Sequence, residues 1–238
     1  MPGLDIALCK PGDLLLFHGF NMVGVAQGAV QGLKILTALP ALISAAQGGA
    51  RAFQGSADCN HAAIITASTT QRFQMAHATN AGVTSDDIDN YLLHVTGAVK
   101  VFRMRGRFDF AALAGKVGDK WSETPDGKPR MGMPYATGKA FLSAFSSSSY
   151  GSGGKQRAAF YRADKDKAGG PQDLKNMTEG RSKAVFCSMF VIACYQAVMS
   201  DMYVEQMLAM DAKHTTPMYL DGFLKGSQHW EQVNAQKG

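Results

Sequence analysis

Residues 184–210 read AVFCSMFVIACYQAVMSDMYVEQMLAM, the longest strongly apolar stretch in the chain, and its reading decides the fold. Apolar side chains recur around the whole circumference rather than along one stripe, which predicts a single helix of five or six turns, mostly buried. Such a helix needs a sheet or further helices to cover it. Cys187 stands where its first turn would begin. Unpaired backbone N–H groups and the helix macrodipole favour negative charge there, and the thiolate is the nucleophilic form of cysteine. Cys194, one heptad on, is expected deeper in the core. Periodicity alone leaves Cys187 equally readable as one more small buried residue.

Upstream, the chain supplies strands to pack against. Pro11-Gly12-Asp13 followed by Leu14-Leu15-Leu16-Phe17 reads as a turn delivering a short buried strand. His61 to Ala67 is a run of small and β-branched apolar residues, Arg72 to Ala76 alternates, and the Ser-Thr-Thr-Gln between them reads as a hairpin turn. Ala98 to Arg103 alternates as well. Phe110–Val117 and Tyr135–Phe145 carry helix-compatible spacing. Residues 20–57 read as a helical insert, rich in Ala, Gly and Leu and broken at Pro40. Residues 146–183, with little apolar periodicity, read as a long flexible loop. The expected fold is α+β: an antiparallel sheet of five or six strands against a C-terminal helix, in one domain over residues 1–238.

Composition narrows the function classes. The 238 residues are 46% hydrophobic and 18% charged, enough apolar material for a buried core. A formal charge of +5 leaves a mildly basic surface, but no dense Lys/Arg run points to a nucleic-acid partner. Four scattered cysteines make neither a disulfide framework nor a CxxC metal site. No phosphate-binding glycine loop or acidic metal pair is present, so neither a cofactor nor a metal is expected. The N-terminal MPGLDIALCKPGD lacks the basic and apolar regions of a Sec signal, which predicts synthesis in the cytoplasm without that route.

A nucleophilic thiol needs a base, and the base needs a partner that fixes its tautomer. A hairpin that places His61 at the start of one strand and His77 at the end of the next brings those two to one end of the sheet. Cys59, two residues before His61, is a lesser alternative as nucleophile or redox partner, since strand alternation would put it on the same face as His61.

The blocks PGDLLLF (11–17), NHAAIIT (60–66), FQMAHATNAGV (73–83), GMPYATGKAF (132–141) and FCSMFVIACYQ (186–196), in that order, resemble a circularly permuted NlpC-type papain-like hydrolase. The branch includes YiiX-like bacterial proteins and lecithin-retinol acyltransferase-like enzymes, in which the cysteine helix comes last. Phe186 stands where unpermuted members carry Asp. The resemblance implies a papain-like architecture, with Cys187 as nucleophile, His61 as base, His77 as the residue that orients it and Tyr135 as a donor to the oxyanion. Read on its own, Tyr135 in its Gly-Met-Pro-Tyr turn is more often a packing residue.

The resemblance further implies a thiol amidase or endopeptidase acting on bacterial cell-wall peptides. An antibacterial effector that reaches a target-cell periplasm through a contact-dependent secretion apparatus, with an immunity protein as partner, would suit such an activity. Two other readings stand beside it. One is acyl transfer or ester cleavage on lipid, with the 20–57 insert touching a membrane; the other is a catalytically silent binding or membrane-perturbing protein.

Overall fold

The computed structural model describes residues 6–22, 59–66, 73–79, 82–93, 95–123, 149–171 and 187–233. Along the chain these form β1 (Leu14–Met22), β2 (Cys59–Ile65), β3 (Gln74–Thr79), β4 (Gly82–Asp87), α1 (Ile88–Leu93), β5 (Val95–Met104), α2 (Phe108–Ser122), α3 (Ser152–Ala163), α4 (Cys187–Val198), α5 (Asp201–Met207), α6 (Pro217–Gly226) and β6 (Trp230–Val233). The fold is α+β. Its six strands make one antiparallel sheet in the order β4-β3-β2-β1-β5-β6.

Alternation along β1 divides the core in two. Leu14 and Leu16 face the helical side together with Ala62, Ile64, Ala76 and the whole of α4. Leu15 and Phe17 face the other side, where Ala63, Ile65, Met75 and Ile88 make a smaller cluster backed by Tyr91 and Leu92 of α1. Every residue of α4 from Cys187 to Ala197 is buried, as its all-round apolar sequence requires. The sheet covers one side of it and α2 and α3 cover much of the rest. The polar groups of α4 are tied down individually: Ser188 Oγ donates to the Thr215 carbonyl at 2.6 Å and Gln196 Nε2 to the Met210 carbonyl at 2.8 Å.

The apolar run at the C-terminus forms two helices rather than one of five or six turns. α4 stops at Val198 and α5 starts after Ser200, whose backbone is extended at the N-cap position. The Ser200 side chain makes no capping hydrogen bond, and Asp201 in the first turn of the new helix is instead bonded by Tyr150 and Arg162, so polar contacts to other elements accompany the break in the apolar pattern. The expected loop 146–183 is interrupted by α3. Its buried residues Gly154, Ala158 and Tyr161 fall four and three apart, a helical stripe diluted by glycine and serine. The 20–57 insert starts later than its expected boundary, because Phe20, Asn21 and Met22 continue β1. The rest of it, the 68–71 turn and the Tyr135–Phe145 helix lie outside the described residues. β4, α6 and β6 were not expected, and β6 supplies one edge of the sheet.

The Pro11-Gly12-Asp13 turn is held from several directions. Gly12 donates to the Ile65 carbonyl at 2.7 Å, and its own carbonyl accepts from the buried Tyr195 hydroxyl of α4 at 2.6 Å. Asp13 is clasped by two nitrogens of Arg103 on β5, at 2.9 and 2.6 Å. Gly12 has φ +90°, and a Cβ there would stand 2.0 Å from the Ala111 carbonyl oxygen of α2. Gly12→Ala is therefore expected to destabilise the protein by about 3 kcal/mol, through backbone strain and overpacking together. Urea unfolding followed by circular dichroism checks this, against a value near zero if the turn can relax.

Candidate active site

The site begins with a break in the sheet. β2 and β3 pair only at Ile64↔Ala76 and Ile65↔Met75, and towards Cys59 the ladder is open. The Ile65 N–H points to β1, where it meets the Asp13 carbonyl at 2.9 Å, whereas the Thr66 N–H meets Gln74 of β3 at 2.9 Å. Strand N–H groups alternate sides, so that of Ala62 faces β3, where the ladder no longer supplies a carbonyl. The Cys187 sulfur lies near that place, where the backbone amides of Ala62 and Ser188 favour its thiolate. The thiol thus enters the sheet from the helical face, beside His61.

The histidines reach the same opening from the opposite face. His61 is paired with Phe17 across β1 and lies against its ring, with centroids 5.4 Å apart. Continuing the β2–β3 register puts His77 diagonally across from His61, and His77 in turn sits opposite Thr84, diagonal to Asp86. The side chains close these diagonals. His61 Nε2 lies 2.8 Å from His77 Nδ1, and His77 Nε2 lies 2.6 Å from Asp86 Oδ2. Thr84 Oγ1 donates to the same carboxylate oxygen at 3.3 Å. Tyr91 of α1 presents its ring edge-on to His77, with centroids 5.0 Å apart, and walls the row on its outer side.

The tautomers follow from the end of the row. The hydrogen bond from His77 holds the Asp86 carboxyl below the usual aspartate range, against a partial burial that raises it. An ionised carboxylate only accepts, so His77 Nε2 carries a hydrogen and donates. When His77 Nδ1 carries no hydrogen, it accepts from His61 Nε2–H. That leaves His61 Nδ1 with the lone pair a base requires.

Burial sets the resting charges. His61 is pushed well below the ordinary imidazole range, chiefly by burial and secondarily by the positive charge His77 can carry. Burial also pushes the Cys187 thiol up to about 11, although its three backbone donors pull the other way. A helix start by itself predicts a lowered thiol, and here desolvation outweighs the helix. The pair accordingly rests as neutral thiol and neutral imidazole. Tyr91 also stays protonated, its hydroxyl raised by burial and further by the charges of Asp86 and Cys187.

Of the residues expected at the site, His61 and His77 are in hydrogen-bond contact, Cys187 neighbours Ala62 from the helical face of β2, and Tyr135 lies outside the described residues. Cys59 does not share the face of His61. The β1–β2 register slips between Phe17 and His18, so Cys59 turns to the helical side, where its sulfur donates to the Pro217 carbonyl at 3.5 Å. His18 follows it there, 3.6 Å from the buried Asp221. All four cysteines are free and buried. Asp86 and Tyr91 were missed. The signal for Asp86 was the Asn-Ala-Gly sequence after Thr79, residue types that favour a turn, and β4 runs back antiparallel to β3.

Among the described residues no cluster of His, Cys, Asp and Glu has the form of a metal site, and no helix is long and apolar enough to cross a membrane. No family model matches the chain, and neither a curated protein nor a solved structure matches it.

The depressed His61 has a consequence for stability. A histidine held neutral in the folded state but free to protonate near 6.5 when unfolded gives stability that is present above that value and lost as the pH falls below it. Urea unfolding at pH 7.5 and pH 5 should show a smaller loss for His61→Gln than for the wild type; equal losses would contradict the buried neutral state.

Proposed function

We propose that the protein is a cysteine hydrolase that works through a thioester. The observation that carries this reading is the hydrogen-bonded row His61–His77–Asp86 ending beside a thiol at a helix start. Two buried histidines in a hydrogen-bonded row with a half-exposed carboxylate are costly as mere packing, because both imidazoles are desolvated, and a nucleophilic thiol requires such a base.

In the proposed reaction His61 Nδ1 takes the thiol proton as the Cys187 sulfur attacks the acyl carbon. His77 and Asp86 stabilise the imidazolium so formed and hold its orientation. The tetrahedral oxyanion is met by backbone N–H groups at the start of α4, with Tyr135 as a further donor. The carbon–nitrogen bond breaks as His61 gives its proton to the departing amine, leaving an acyl thioester on Cys187. Water then attacks the thioester, His61 accepting its proton and returning it to the sulfur, and the carboxylic acid leaves. A buried neutral pair requires proton transfer and attack to be closely coupled, since the free thiolate is costly in this setting.

The substrate class we propose is an amide of a bacterial cell-wall peptide, as in a permuted NlpC-type enzyme. Its support is the shared order of the base strand, the orienting strand and the nucleophile helix along the chain. Incubation with purified peptidoglycan and, separately, with phospholipid vesicles tests it: new muropeptides with intact lipid are expected, and lipid products with intact muropeptides would overturn the substrate class.

Cys187→Ala should abolish turnover, while Asp86→Asn should lower kcat by about 10²-fold or more with little change in KM, because it unsettles the tautomers and not the binding. An unchanged kcat in Asp86→Asn would remove the row from the mechanism. The acid limb of the kcat/KM profile is expected to fall well below pH 6.5, as the lowered His61 requires.

A further inference from the structure

The far end of α4 holds a second feature that the proposed chemistry does not use. A cleft of about 540 Å³ lies where the last residues of α4 meet α2 and α3. At 1.5 Å per residue along α4 it is about 16 Å from Cys187, too far to be part of the thiol site.

Its walls are apolar: Leu113 and Val117 of α2 on one side and Val198 at the end of α4 on the other. Leu113 is 46% exposed at the mouth. The rim is cationic, with Lys116 and Lys120 one helical turn apart on α2, Arg162 at the end of α3 and Lys165 just beyond it. Asp166 is the one carboxylate among the lining residues. It pairs with Lys165 at 2.5 Å, and from outside the lining Glu123 holds Lys120 and Asp201 holds Arg162. Arg162 also donates to the Met199 carbonyl at 3.0 Å, which fixes its guanidinium at the C-terminal end of α4.

A cleft of this volume is within the usual range for a small-molecule site. Its two chemistries ask for different parts of one ligand. An inorganic anion would leave the apolar walls wet, and a neutral hydrocarbon would leave a rim of four cations with only three carboxylates. We infer that the cleft binds an anionic amphiphile, with a phosphate or carboxylate head against Lys116, Lys120, Arg162 and Lys165 and a short apolar tail against Leu113, Val117 and Val198. The head attracts at long range and the tail adds area removed from water, so affinity depends on both in one molecule.

Isothermal titration of the full chain with octyl phosphate, inorganic phosphate and octanol separates the possibilities. Octyl phosphate is expected to bind one per chain, at least tenfold more tightly than either fragment. The Lys116→Glu, Lys165→Glu double variant should weaken it at least tenfold, and so should Leu113→Asp, both on solvent-exposed side chains. A parallel sedimentation assay with vesicles of phosphatidylglycerol and phosphatidylcholine distinguishes a lipid source from a soluble one. Any of three results would overturn the inference: inorganic phosphate binding as tightly as octyl phosphate, binding unchanged in both variants, or association with vesicles and none with the monomeric ligand.

Discussion

The early end of the β2–β3 ladder, which pairs only at Ile64 and Ile65, is the constraint on which the rest of the site depends. A strand N–H that loses its ladder partner inside a protein must find another acceptor. Here the unpaired stretch lies against the start of the central helix, where the Ala62 amide acts on the Cys187 thiol. Beside the same opening, on the opposite face of the sheet, His61 and His77 meet each other. One local departure from regular pairing therefore joins the two halves of the core at a single point.

Two features keep that opening in place. Tyr195 bonds the carbonyl of Gly12, and Gly12 bonds β2 at Ile65, so the helix is anchored one turn of strand away from where its first residue enters the sheet. On the other face, α1 follows directly from β4 and sets Tyr91 against His77, which confines the imidazole to the plane that reaches both His61 and Asp86. The thiol and the base are buried from opposite sides, and both are held neutral by that burial. The polarity of the site is carried by the direction of hydrogen bonds leading away from Asp86.

Much of this was legible in the sequence where a periodic pattern coincided with a strong local signal. The Leu14–Phe17 strand, the His61 strand, the alternation through Ala98–Arg103 and the buried Cys187 helix each stood out, and the hairpin argument placed His77 beside His61. The failures have physical causes. The break at Met199 and Ser200 was hidden because apolar residues continue on both sides of it, and only the polar pair Ser200 and Asp201 marks it. α3 was hidden because its buried stripe is made of Gly154, Ala158 and Tyr161, two of which add little hydrophobicity. Asp86 escaped because its role comes from a diagonal neighbour across a strand whose polar sequence did not announce it. Cys59 was placed on the wrong face because a one-residue slip in register reverses alternation, and that slip is set by pairing with β1 rather than by β2 itself.

The central claim is that Cys187 alone among four buried cysteines is a nucleophile, made so by His61. Its most direct test is acylation by p-nitrophenyl acetate near neutral pH, followed by intact mass and peptide mapping. A single acetyl group on Cys187, released by hydroxylamine and formed at least a hundredfold more slowly in His61→Ala, is the predicted result. Acetylation spread evenly over Cys9, Cys59, Cys187 and Cys194, or a Cys187 rate untouched by His61→Ala, would contradict it.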